Sequence, residues 1–215
     1  MSEVLKVNSD KPDAERIAYA AHLIRTGQVV AIPTDTLYGL AADPFNLNAV
    51  DQIYRIKGRA WHKALLLLVS SIEQAEDLAA NIPEAFYALA RRFWPGPLTL
   101  VIPASSRLPR KITGNTGKVA LRFPNAKIPV ALIRELGIPL TGTSANLAGL
   151  AGCSRAAEVQ NQFGDRLPLI VDGGDSGANL PSTIVDVSSD AGGSVWKIVR
   201  EGAIPAREIT EFFEE

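Results

Sequence analysis

Apolar residues recur along this chain with two different periods. Between Ala14 and Ile24 they fall at Ile17, Ala18, Ala21, Leu23 and Ile24, the spacing of one helical face, and Gly27 supplies a stop signal. Val29-Val30-Ala31-Ile32 is short, continuous and β-branched, which predicts a strand covered on both faces, ended by Pro33 because proline removes a ladder donor. Asn46 to Ile56 predicts a helix capped by Asn46, and Leu65 to Val69 the next buried strand. Helices follow at Ile72 to Ala80 and Glu84 to Phe93, the second halted by Trp94-Pro95-Gly96-Pro97, and Leu98 to Ile102 is a strand. Further strands are expected near Val119 to Leu121, Pro139 to Thr141, Leu169 to Val171, Thr183 to Val187 and Val195 to Val199. Helices are expected at Pro129 to Leu136, Ala156 to Phe163 and Ala206 to Phe213. Strands alternating with helices indicate an α/β fold. The close spacing of the last two strands suggests a hairpin, and so a mixed rather than a purely parallel sheet.

Composition narrows the picture. With 215 residues, 47% of them hydrophobic, the chain can bury one substantial core, and a single domain is expected over residues 1–215 with its core at about 14–204. Lys and Arg total 22 against 23 for Asp and Glu, so a basic site must be local rather than spread over the surface. One cysteine, Cys153, excludes an internal disulfide, and with only His22 and His62 as histidines a Cys/His zinc site is excluded as well. The most apolar run, Ala64 to Val69, is far shorter than the roughly 18 residues of a membrane span, and the N-terminus has no secretory pattern. The expectation is a cytoplasmic protein with no membrane partner.

The polar clusters stand where elements end, which is where open α/β sheets bind ligands. Pro33-Thr34-Asp35-Thr36-Leu37-Tyr38-Gly39-Leu40 follows the first buried strand. Lys57-Gly58-Arg59 follows a helix; both cations reach one ligand only if the helix stops there, as Gly58 permits, and the pair then suits phosphate oxygens. Complementing the helix C-terminus is the plainer alternative. Thr143-Ser144-Ala145-Asn146 follows a strand shortly before Gly149 and Gly152, where it serves either a phosphate, ribose or base edge or ordinary turn chemistry. Arg122 ends the strand Val119 to Leu121 and can hold a carboxylate bidentately, or a surface ion pair. Pro181-Ser182-Thr183 and Arg200 stand at two more strand ends. Trp94 and Cys153 read as packing residues; His62 reads as a surface or ligand-contacting histidine, and Asp35, Asp43, Asp172 and Asp175 show no spacing that singles out a metal site. A Walker-type loop and a dinucleotide fingerprint are both missing.

Together with Trp94-Pro95-Gly96-Pro97-Leu98-Thr99, Ala120-Leu121-Arg122-Phe123-Pro124 and Arg200-Glu201-Gly202, these clusters resemble the YrdC-like family of L-threonylcarbamoyladenylate synthases from about Ile17 to Ile204. The resemblance implies a twisted mixed β-sheet with a basic concave surface flanked by helices. It implies a nucleotidyltransferase that makes threonylcarbamoyl-AMP and pyrophosphate from L-threonine, bicarbonate or CO2, and ATP, with Mg2+ expected beside the ATP. The product would feed threonylcarbamoyladenosine formation in tRNA by partner proteins. By the same resemblance Lys57 and Arg59 are catalytic; Lys57, Arg59, Lys63, Lys118, Ser144, Asn146 and Arg200 bind ATP; and Thr34, Arg122 and Ser182 bind threonine. Ala60 and Ala64 stand where the family often has proline, which implies a less rigid loop, and Gly152 replaces a serine of some members. The chain resembles the short form without the further C-terminal domain of the long form. The competing reading is a double-stranded RNA or tRNA-binding module that uses the same concavity without chemistry.

Overall fold

The computed structural model of the protein describes residues 2–177, 180–188 and 196–214. In chain order its elements are β1 (Glu3–Lys6), α1 (Ala14–Arg25), β2 (Val30–Ile32), β3 (Gly39–Ala41), α2 (Leu47–Lys57), β4 (Leu66–Leu68), α3 (Ile72–Asp77) and α4 (Glu84–Phe93). Then come β5 (Leu98–Pro103), α5 (Arg110–Thr113), β6 (Lys118–Arg122), α6 (Lys127–Leu136), β7 (Leu140–Thr141) and β8 (Thr143–Ser144). The chain continues through α7 (Ala156–Phe163), β9 (Leu169–Asp172), β10 (Thr183–Asp186), β11 (Lys197–Arg200) and α8 (Ala206–Glu214).

The strands form two mixed sheets rather than the single sheet expected. One runs β1-β9-β2-β3-β8 and the other β11-β10-β5-β6-β4-β7. The chain crosses between them at Gly142, which joins β7 of the second sheet to β8 of the first. A Cβ at this position would lie 2.6 Å from Leu68 Cγ, so the crossover backbone can press against β4 only as glycine. The hairpin expected at the end is present: β10 pairs antiparallel with β11, while its other edge runs parallel to β5. Val195, proposed as the start of the last strand, lies outside the described residues.

The two-faced burial read from the apolar runs has a direct counterpart in the packing. Val29 and Ala31 belong to one core cluster, while Val30 and Ile32, on the opposite face, belong to another with α1 and α6. Ile170 and its neighbours Leu169 and Val171 in β9 divide in the same way. A period of two sends successive side chains to opposite faces, so an unbroken apolar run is needed where both faces are covered.

Helix ends follow their local signals. The Asn46 side chain accepts from Asn48 N and Ala49 N and caps α2, which stops at Gly58 with φ 62°, a left-handed conformation costly for residues with a Cβ. The helix expected at Ile72 to Ala80 stops at Asp77, and the chain turns so that Ala79 bridges Ala104. Four short elements escaped the sequence patterns: β1, β3, α5 and β8.

Candidate active site

A cavity of about 190 Å3 lies between the two sheets. Thr34, Thr36, Tyr38, Thr143 and Ser144 line it on the first-sheet side, and Arg59, Thr99, Arg122, Ser182 and Arg200 face it from elsewhere. Six of the ten expected site residues therefore share one wall-to-wall space: Thr34, Arg59, Arg122, Ser144, Ser182 and Arg200.

Strand pairing explains the convergence. The segment Pro33 to Tyr38 connects β2 to its antiparallel neighbour β3, and β3 in turn pairs with β8 so that Gly39 faces Ser144. The first and third polar clusters, over a hundred residues apart in sequence, become neighbours through this three-strand arrangement. Arg122 closes β6 opposite Leu68 of β4, and Arg200 closes β11 opposite Ile184 of β10. Ser182 stands just before β10.

Arg122 is 3% exposed and held from three directions. Its Nε donates to Gly96 O at 3.0 Å, its Nη1 to Thr36 Oγ1 at 2.6 Å, and its Nη2 to Asp35 Oδ1 in an ion pair. Burial pulls the guanidinium pKa down and the Asp35 carboxylate opposes that pull. The Gly96 carbonyl is supplied by the Trp94-Pro95-Gly96-Pro97 turn. Trp94 itself is core: its ring meets Phe86 edge to face at 5.5 Å and its Nε1 donates to Leu98 O at 2.7 Å. The packing reading of Trp94 holds, and the turn has a second task in holding the arginine.

Around Arg122 the hydroxyls are preset. Thr34 Oγ1 donates to Leu37 O at 2.7 Å and accepts from Thr36 N at 3.1 Å. Ser182 Oγ shares a hydrogen bond with Thr99 Oγ1 at 2.8 Å, and Arg200 Nη2 donates to Ser182 O at 2.7 Å. Gly202 follows closely behind this segment: a Cβ there would lie 2.2 Å from Pro181 O.

The helix-end pair divides its labour. Gly58 lets Lys57 and Arg59 leave α2 in different directions. Arg59 reaches the cavity, donating Nη2 to Ala64 O at 2.9 Å, while its buried Nε has no acceptor among the described residues. Lys57 is buried beside the cavity instead. Its ammonium donates to Ser144 O, to Asn146 O at 2.8 Å and to Asn146 Oδ1 at 3.4 Å, and Lys57 O accepts from Ala148 N at 2.9 Å. Burial, then the Arg59 charge, lower its pKa to about 8. Asn146 is turned toward its own loop, donating Nδ2 to Leu147 O at 2.9 Å and Leu150 O at 2.8 Å.

Lys63 and Lys118 are elsewhere. Lys63 is exposed on the loop after Arg59, and Lys118 pairs with Asp186 at 2.9 Å; neither lines the cavity. Burial raises the Cys153 pKa to about 11, which keeps it a thiol and fits its reading as a packing residue. Thr36, read within the polar cluster Pro33 to Leu40, and Thr99 line the cavity as well, though neither was among the expected site residues. For Thr99 there was a signal, a hydroxyl within the apolar run Leu98 to Ile102. Among the described residues no three His, Cys, Asp or Glu side chains gather to hold a metal ion, and no helix is long and apolar enough to cross a membrane.

Fold and site define an α/β protein with a deep cationic cavity between two mixed sheets, built by arginines and hydroxyls at strand and helix ends. The family model described as Telomere recombination, that of the Sua5, YciO and YrdC proteins, matches residues 22–202, and the chain belongs to this family. It is 40% identical to the threonylcarbamoyl-AMP synthase of Pyrococcus abyssi, over 93% of this chain and 58% of that protein. With the threonylcarbamoyl-AMP synthase of Marinobacter nauticus it shares 34% identity over 84% of this chain and 95% of the relative. The crystal structure of P. abyssi Sua5 complexed with L-threonine superposes with a TM-score of 0.93 at 37% identity, covering 100% of this chain and 62% of that one. The chain thus spans little more than half the length of the P. abyssi protein.

Proposed function

We propose that the chain is an L-threonylcarbamoyladenylate synthase, joining L-threonine, CO2 or bicarbonate, and ATP into threonylcarbamoyl-AMP with release of pyrophosphate. The observation that carries this reading is the one cavity in which a buried, carboxylate-paired arginine and set hydroxyls share space with two further arginines and the Ser144 hydroxyl. The threonylcarbamoyl-AMP synthases among its relatives and the threonine-bound structure support it.

In this reading Arg122, Thr34 and Ser182 hold threonine, with Arg122 on its carboxylate. The neutral amine adds to the carbon of CO2 and loses a proton, giving a carbamate. A carbamate oxygen then attacks the α-phosphorus of ATP and pyrophosphate leaves. Such a displacement needs alignment and cations more than a protein nucleophile, which suits a chain whose one cysteine is a buried thiol outside the cavity lining. Arg59 and Arg200 supply positive charge at the phosphates, the Arg59 Nε offering a buried donor without an acceptor among the described residues. Lys57 acts by holding the Ser144 to Asn146 loop in shape and by lending its charge; Ser144 contacts the nucleotide directly. Lys118 joins the nucleotide only by releasing Asp186, and Lys63 only by movement of its loop. No side-chain cage for a metal is present among the described residues, so Mg2+ enters this reading as the partner of the ATP phosphates, and no step is assigned to it. The tRNA-modifying proteins would act on the released product, in the cytoplasm.

The test is pyrophosphate release by the purified protein with ATP, magnesium and bicarbonate, with and without L-threonine, beside a Lys57→Ala/Arg59→Ala variant. Release that requires threonine and bicarbonate and is lost in the variant supports the synthase. No release, with salt-sensitive RNA binding instead, replaces it by the binding-module reading.

A further inference from the structure

Arginine carries five N–H groups, and in Arg122 three are committed: to Gly96 O, Thr36 Oγ1 and Asp35 Oδ1. One N–H on each of Nη1 and Nη2 has no acceptor among the described residues and can meet a ligand, and Arg122 lines the cavity. The partners come from two separate segments, the turn after β2 and the turn after α4, so the plane of the guanidinium is fixed before any ligand arrives. Fixing that plane is what a bidentate carboxylate contact requires.

Asp35 has a further property. Its side chain is 14% exposed, its Oδ1 is engaged by Arg122, and its Oδ2 is buried with no hydrogen-bond partner among the described residues. A buried acceptor left unpaired costs free energy that a turn residue would ordinarily avoid by bonding to its own backbone. The neighbouring hydroxyls of Thr34, Thr36 and Ser182 are neutral and the Arg122 and Asp35 charges cancel as a pair, leaving Arg59 and Arg200, assigned to the phosphates, as the other cations on the cavity wall. Against the Arg122–Asp35 pair a carboxylate entering alone finds no net attraction, whereas a ligand that also brings an ammonium is drawn by the Asp35 charge.

We propose that Asp35 is the positioning residue of the amino-acid site: it sets the Arg122 guanidinium for a carboxylate and, by cancelling its charge, selects a zwitterionic amino acid over the corresponding deaminated acid. This rests on the threonine-binding part of the synthase reading and adds to it the residue that decides between these two classes of ligand.

Calorimetric titration separates the two ideas, because it needs no turnover. The probes are L-threonine and (R)-3-hydroxybutyrate, which keeps the carboxylate and hydroxyl but lacks the amine. Wild type is expected to bind threonine at least 10-fold more tightly than the hydroxy acid. In Asp35→Asn threonine affinity falls about 10-fold or more, the preference over the hydroxy acid shrinks towards parity, and ATP affinity stays within about twofold. Asp35→Glu, which keeps the charge, retains the preference even where its affinity is reduced. Equal binding of the two probes by wild type overturns the proposal without recourse to any variant, as does an Asp35→Asn protein that keeps threonine affinity or loses ATP affinity in parallel. Threonine binding without pyrophosphate release brings down the synthase reading and leaves this proposal standing; no binding of threonine brings down both.

Discussion

The Lys57 ammonium lies 2.8 Å from the main-chain oxygen of Asn146, and the Lys57 carbonyl accepts the Ala148 amide at 2.9 Å. One residue at the end of α2 thus grips the loop after β8 from both its side chain and its backbone. A sequence separation of nearly ninety residues is closed by these bonds.

Replacing Lys57 by Met preserves much of the stem and removes the donor. Asn146 O then loses the ammonium in a part-buried place, while Ser144 O keeps the Asn146 amide and Asn146 Oδ1 keeps the Ser144 hydroxyl, at a cost of about 1–3 kcal/mol. Urea unfolding at about pH 9.5, where the folded lysine is largely neutral and the cost of burying its charge is gone, is expected to register this loss, and the KM for ATP at neutral pH to rise about 10-fold while that for threonine changes little. An unchanged KM for ATP would place the Ser144 to Asn146 loop outside the nucleotide site.

The pH dependence of stability follows from the same lysine. Its folded pKa of about 8 lies below the ordinary 10.5, so between these values the unfolded chain binds more protons than the folded one. Stability from this group therefore rises with pH across that window, and the burden of burying the charge is fully present below it, at up to about 3 kcal/mol by linkage. Wild type should gain stability relative to Lys57→Met between pH 7.5 and 9.5. Over the same interval, the share of ATP affinity that depends on the ammonium declines. Parallel curves for the two proteins would refute the assignment.

Gly58 and Gly202 should fail differently. At Gly58 a Cβ meets nothing within 4 Å, so Gly58→Ala pays only for the left-handed backbone, about 1 kcal/mol. At Gly202 a Cβ would lie 2.2 Å from Pro181 O and 2.7 Å from the Ser182 carbonyl carbon, and the backbone behind Ser182 must shift. Gly202→Ala is expected to cost about 1–3 kcal/mol and to weaken threonine binding, which Gly58→Ala leaves alone. Denaturant melts and threonine titrations of both variants check the contrast.

Arg122→Met leaves the Asp35 carboxylate buried without its cation, a change expected to cost about 3–5 kcal/mol. Adding Asp35→Asn should restore part of that stability without restoring threonine binding. Additive losses in the double variant, measured by a double-mutant cycle, would mean that the two side chains do not form one unit.

Local order is where the amino-acid pattern was strongest. The run Val29 to Ile32 announced a strand with two covered faces, Asn46 and Gly58 marked the start and stop of α2, and the spacing at the end of the chain announced the hairpin of β10 and β11. These features depend on side-chain period, caps and backbone freedom within a few residues, all of which are written in consecutive positions. The short strands β3 and β8 were invisible for the opposite reason. Gly39–Ala41 and Thr143–Ser144 have no strand pattern of their own and exist because each finds a partner across space.

The candidate site divides along the same line. Strand and helix ends pointed to Thr34, Lys57, Arg59, Arg122, Ser144, Ser182 and Arg200, and most of these meet in one cavity. Which cation faces the cavity and which lies buried beside it depends on the crossover at Gly142 and on the pairing of β3 with β8. That geometry turned Lys57 inward as a brace, tied Lys118 to Asp186 and set Asp35 on Arg122. The chain specifies its elements through short-range forces, whereas the partners of its charged groups are chosen by long-range strand pairing, which no local pattern encodes.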